Sequence, residues 1–75
     1  MKEKIIKIVN INDLKEFVKK ANDIEGDVII QKGKFFVDGK SLLGLLSINI
    51  SDHCRIYYPK DNIEFENFIS SFECK

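Results

Sequence analysis

The sequence has no tryptophan, one proline and one histidine, and its charges cancel: Lys plus Arg and Asp plus Glu each number 12. Each scarcity excludes something. Zero net charge leaves no broad basic face to displace counterions, so nucleic-acid binding is not expected. The most basic stretch, Lys2, Lys4 and Lys7, is diluted by Glu3. Two cysteines, Cys54 and Cys74, fall short of the disulfide-dense scaffold of a small secreted domain. They fit a reducing compartment, and the expected location is the cytoplasm. Their spacing matches no zinc pattern, and His53 cannot complete one, so no metal is expected. No apolar run approaches the ~20 residues of a membrane helix, and the short apolar stretch after Lys4 is too brief for a signal peptide. There is no nucleophile beside a base, no convincing carboxylate pair and no phosphate-cradling glycine loop. An enzyme is not expected, nor a cofactor.

What remains is an ordinary globular composition, 44% hydrophobic and 32% charged over 75 residues, read as one domain. A chain of this length buries about 60% of its unfolded surface. Six Phe and two Tyr must carry much of the core. The abundance of Ile, Lys and Asn suits an AT-rich bacterial genome.

Residues 3–9 alternate as a strand, with Ile6 and Ile8 on one face and Ile5, Lys7 and Val9 on the other. Asp13 and Glu16 have the spacing of a capping box, and Leu14, Phe17, Val18 and Ala21 follow as one helical stripe ending at Asn22 and Asp23. Residues 27–31 and 34–38 predict a hairpin turning at Lys32 and Gly33. Ser41 is a good N-cap for a short leucine-rich helix that Asn49 would stop in a left-handed conformation. Cys54 to Tyr58 predict a last strand ended by Pro59. Asp61 or Asn62 caps a final helix that buries Ile63, Phe65, Phe68, Ile69 and Phe72 and leaves Glu64, Glu66, Asn67 and Glu73 in water. The order β-α-β-β-α-β-α predicts an α+β domain, an antiparallel sheet with helices on one face. Tyr57 and Tyr58 point to opposite faces, so no aromatic platform for RNA is evident.

The run Asp38-Gly39-Lys40-Ser41-Leu42-Leu43-Gly44-Leu45-Leu46-Ser47-Ile48 resembles the segment of HPr, the phosphocarrier family of the sugar phosphotransferase system, that reads small-Lys-Ser-aliphatic-x-x-Leu. Phe17-Val18-Lys19-Lys20-Ala21 is similar to the middle of that family's first helix. The element order matches along the whole chain. The resemblance implies an HPr-like open-faced β-sandwich, a four-stranded antiparallel sheet in the order 1-4-2-3 with three helices on one face. It also implies a family whose histidine, in a Gly-aliphatic-His-x-Arg-Pro loop, relays phosphate from enzyme I to permease proteins.

In this chain that loop reads Val9-Asn10-Ile11-Asn12-Asp13-Leu14, with no His, Arg or Pro. An amide cannot accept a phosphoryl group as imidazole does, and Asp13 would repel one. Asn10 and Asn12 therefore mark a degenerate carrier loop. His53, before the last strand, is at the right end of the sheet to act as a substitute carrier; the plainer reading is a turn residue, tolerated at positive φ. Ser41 matches the serine that a dedicated kinase phosphorylates in many HPr proteins, after which a transcription regulator of catabolite repression binds; the plainer reading is a cap contributing about 1 kcal/mol. Lys40 lies beside it. By position, Leu42 and Leu46 are the outward pair of the short helix, a candidate partner-binding surface or a pair tucked under a loop. The expected function is an HPr-like regulatory or partner-binding monomer, with a plain interaction domain as an alternative.

Overall fold

In the computed structural model, which describes residues 1–74, the chain runs β1 (Lys2–Ile6), α1 (Ile11–Asn22), β2 (Ile29–Lys32), β3 (Phe35–Asp38), α2 (Leu42–Leu46), β4 (Cys54–Tyr58) and α3 (Ile63–Ser70). All strand pairs are antiparallel and the sheet order is β1-β4-β2-β3. This is the α+β topology expected above. None of the described helices is long and apolar enough to cross a membrane.

Strand alternation decides which face is buried. Ile6, Ile30, Cys54, Ile56 and Tyr58 turn inward and are almost fully enclosed. Leu14, Phe17 and Ala21 of α1, Leu45 of α2, and Phe65 and Ile69 of α3 meet them in one cluster. Each fully buried aliphatic side chain of this kind contributes about 1.5–3 kcal/mol. Phe65 joins the layers: its ring centroid lies 5.7 Å from that of Phe17 and 6.0 Å from that of Tyr58. The Tyr58 hydroxyl donates to Glu66 Oε2 at 3.0 Å, and burial with the neighbouring carboxylate pushes its phenol up to about 12.

Several boundaries differ from the sequence reading, each for a physical reason. β1 stops at Ile6 rather than residue 9 because its partner β4 begins opposite, at Cys54. Beyond it the Lys7 N–H donates to Phe72 O at 3.2 Å and the Ile8 N–H to Ile50 O at 3.0 Å. Helix α1 starts a turn early: Asn10, not Asp13, is the cap, its Oδ1 accepting the Asn12 N–H at 2.7 Å. Asp13 becomes a first-turn carboxylate, where the helix dipole favours it. The hairpin loop is Gly33-Lys34, flanked by the pair Lys32 and Phe35. Gly33 has φ 59°, the left-handed value a two-residue loop needs at its first position. Among the described residues no other type than glycine has positive φ, so neither Asn49 nor His53 adopts the left-handed conformation expected of it. Asn62 caps α3, which leaves Ile63 at its first position and 71% exposed rather than in the buried stripe. Glu66 is half-buried rather than facing water, because Lys2 and Tyr58 both hold it.

Candidate functional site

Three groups of candidate residues fall in three different places. The first is the loop between β1 and α1. Asn10 and His53 line the same open hollow, with Lys7, Asp13, Phe72 and Cys74 around them. His53 thus lies at the same end of the sheet as the β1–α1 loop. The chemistry around it is mixed. His53 Nδ1 lies 3.5 Å from Asp52 Oδ1, and Lys32 holds that carboxylate at 3.0 Å. The Lys32 hydrogen bond, helped by the His53 backbone N–H, keeps the Asp52 carboxyl below its usual range. Asp13 and Glu73 also face the hollow, so a phosphoryl group there would meet carboxylates with Lys7 as the cation lining it. Asn10 is engaged in capping, and Asn12 is exposed in the first turn of α1.

The second group is the start of α2. Ser41 Oγ accepts the Gly44 N–H at 3.1 Å, so the serine caps the helix. As an acceptor it keeps its own proton free. Lys40 is not a free cation: its Nζ donates to Ile24 O at 2.6 Å, beyond the end of α1. Its backbone N–H donates to Asp38 Oδ1 at 2.9 Å, and its carbonyl accepts from Asn22 Nδ2 at 3.0 Å. Lys40 thus clips the β3–α2 connection to the end of α1.

The third group is the outward side of α2, where one expectation needs correcting. Leu45 is fully buried, and Leu42 is half-buried against the core. The exposed pair is Leu43, at 81%, with Leu46, not Leu42 with Leu46. Burial of Leu45 sets this rotation, and the Ser41 cap fixes where the helix begins.

Leu46 does not stand alone. It shares a shallow groove of about 200 Å³ with Val9, Ile11 and Ile48, floored by Leu14 and Leu45. Val9 and Ile11 are themselves 72% and 48% exposed, so the patch extends from α2 to the start of α1. Among the described residues no charged side chain lines this groove, whose polar lining is Asn10, Asn49 and Ser51. The sequence reading assigned Val9 and Ile11 only to strand and loop; the missed signal was two β-branched residues alternating with asparagines at a helix start. The chain matches no family model, no curated protein and no solved structure.

Proposed function

We propose that this chain is an HPr-like protein without carrier chemistry, working in the cytoplasm by docking a protein of the sugar phosphotransferase system. The observation that carries this reading is the groove walled by Val9, Ile11, Leu46 and Ile48, with no charged side chain among the described residues. Exposed apolar residues that converge on one hollow are a docking feature, whereas the same residues scattered would carry no meaning. The groove flanks the loop where the family's histidine would lie, so a partner that recognises HPr would meet it. Ser41, the half-buried cap of the same helix, is the regulatory position that an HPr kinase would modify, with a transcription regulator as the reader of the modified form.

Isotope-labelled protein titrated with enzyme I, and separately with a sugar-specific permease domain, tests the docking. Shifts confined to Val9, Ile11, Leu43 and Leu46, abolished by Leu46→Lys, are expected; no shift with either protein sinks the reading. Incubation with ATP and an HPr kinase should add one phosphate to the wild type and none to Ser41→Ala. The alternative of a carrier at His53 rests on its place in the hollow beside Asn10. Enzyme I with labelled phosphoenolpyruvate decides it: acid-labile label lost in His53→Ala would favour the carrier over the docking protein.

A further inference from the structure

The two edges of the sheet are treated differently. β1 is covered by the chain itself: Glu73 bridges Ile6, the Cys74 N–H donates to Ile5 O at 2.8 Å, and Phe72 O accepts from Lys7. β3, the other edge, has no such cover among the described residues. It carries Phe35 and Phe36, 61% and 62% exposed, side by side. An open edge with adjacent exposed aromatics is a template for another strand.

The register says which groups it offers. The Gly39 N–H donates to Val28 O at 2.7 Å, which continues the alternation of the β2–β3 ladder past Asp38. Bonded pairs in an antiparallel ladder alternate with unbonded ones. Gly39, Val37 and Phe35 therefore bond inward to β2, while Phe36 and Asp38 turn their backbone groups to the open side. The Asp38 carbonyl is taken by the Ser41 N–H, but the Phe36 N–H and C=O and the Asp38 N–H are not met by backbone groups of the described residues.

Lys34 of the hairpin loop followed by Phe35-Phe36-Val37-Asp38 of β3 is self-complementary when reversed, with Asp38 Oδ1 also accepting the Lys40 N–H. Antiparallel pairing centred on Phe36 sets Lys34 opposite Asp38 twice over, by symmetry. Phe36 meets its own copy on the face away from the helices, and Phe35 meets Val37 on the helix side. Charged edge residues usually serve to repel a second strand. Opposite charges at the two ends do the reverse in this register, and a chain of zero net charge adds no overall repulsion. We propose that a second copy of this chain is the partner of β3, giving a two-fold dimer in which one antiparallel sheet runs through both copies. This departs from the monomer expected from sequence and is independent of the groove at Val9, Ile11 and Leu46.

Sedimentation of the full chain over a range of concentrations should show reversible dimerisation, and the Phe36 amide should gain hydrogen-exchange protection as concentration rises. Lys34→Glu places like charges opposite each other twice and should weaken the dimer about tenfold or more. Adding Asp38→Lys to it should restore association, with circular dichroism confirming that each variant is folded. A monomer at every concentration overturns the proposal. So does a dimer insensitive to Lys34→Glu, a folded double variant without rescue, or a Phe36 amide whose exchange ignores concentration.

Discussion

Truncating the four leucines of α2 one at a time tests the rotation of that helix, on which the proposed docking face depends. Leu45 is fully buried, so Leu45→Ala removes its transfer energy and leaves a cavity, together about 3 kcal/mol within the usual range of 2–5. Leu42 is half-buried against the core, and Leu42→Ala should cost roughly half as much. Leu43 is 81% exposed, so Leu43→Ala should stay within about 0.5 kcal/mol of the wild type, and Leu46→Ala close to that. A domain of this size has a total stability of about 4–11 kcal/mol, so the Leu45 variant loses a large share of it. In thermal terms the Leu45 change is about 12–24 °C and the Leu43 change no more than a few degrees, at ~4–8 °C per kcal/mol. Urea and heat melts followed by circular dichroism read all four variants. If Leu43→Ala cost as much as Leu45→Ala, or if Leu42→Ala proved neutral, the helix would be rotated from the orientation described. The exposed pair would then not be Leu43 and Leu46, and the groove would lose its α2 wall.

Gly39→Ala should destabilise the protein by about 1–3 kcal/mol, because a Cβ there would lie 2.6 Å from Val28 Cγ1 and 2.9 Å from the Val28 carbonyl oxygen; a neutral result in a urea melt would refute the close approach. The Lys2 and Tyr58 hydrogen bonds hold the Glu66 carboxyl below its usual range, as Lys32 does for Asp52. A folded value below the unfolded one stabilises the protein above the ordinary carboxylate range, and that contribution is lost as pH falls through the folded value. Urea midpoints should therefore decline as pH drops below about 4.5, less steeply in Glu66→Gln; identical slopes refute the assignment. Burial pushes the Cys54 thiol up, whereas Cys74 is only partly covered. A thiol-reactive disulfide reagent should label Cys74 quickly and Cys54 only on unfolding, and equal rates would contradict this burial.

The parts of the fold legible in the sequence are those with long, clean periodicity. Leu14, Phe17 and Ala21 repeat at helical spacing over α1 and are all buried. Ile6 and Ile8 alternate with the half-buried Ile5 and the exposed Lys7 and Val9, and stay buried even though only Ile6 lies in the strand. The strand order came from the resemblance, not from the residues, because nothing in β4 itself says that it inserts between β1 and β2. The site was less legible. Helix α2 has four leucines in five residues and no polar side chain to mark its outer face, so nothing in the segment itself selects Leu45 as the buried one. Asn10 and Asp13 are both good caps by type, and only the chain path after Ile8 selects the first. The Lys40 clip joins residues far apart in sequence, and no local pattern announces it.

Helix α2 also links Ser41 to the proposed docking face, which does not contain it. An isolated helix this short does not hold itself together in water, since even ~12–15 residues are marginal. Burial of Leu45, the Lys40 clip and the Ser41 cap hold it from three sides. Ser41→Ala should remove the cap bond to Gly44, lower stability by about 1 kcal/mol and shift the melting temperature by ~4–8 °C. Ser41→Asp keeps a capping oxygen and should melt near the wild type. The two variants separate local order from identity at this position. If Ser41→Ala alone loosens α2, the amide shifts it causes should spread through Leu43 and Leu46, and partner binding should weaken with them. If binding is unchanged in Ser41→Ala while Leu46→Lys abolishes it, the cap and the docking face are uncoupled. Modification of Ser41 would then have to act by direct contact with the partner rather than through the helix.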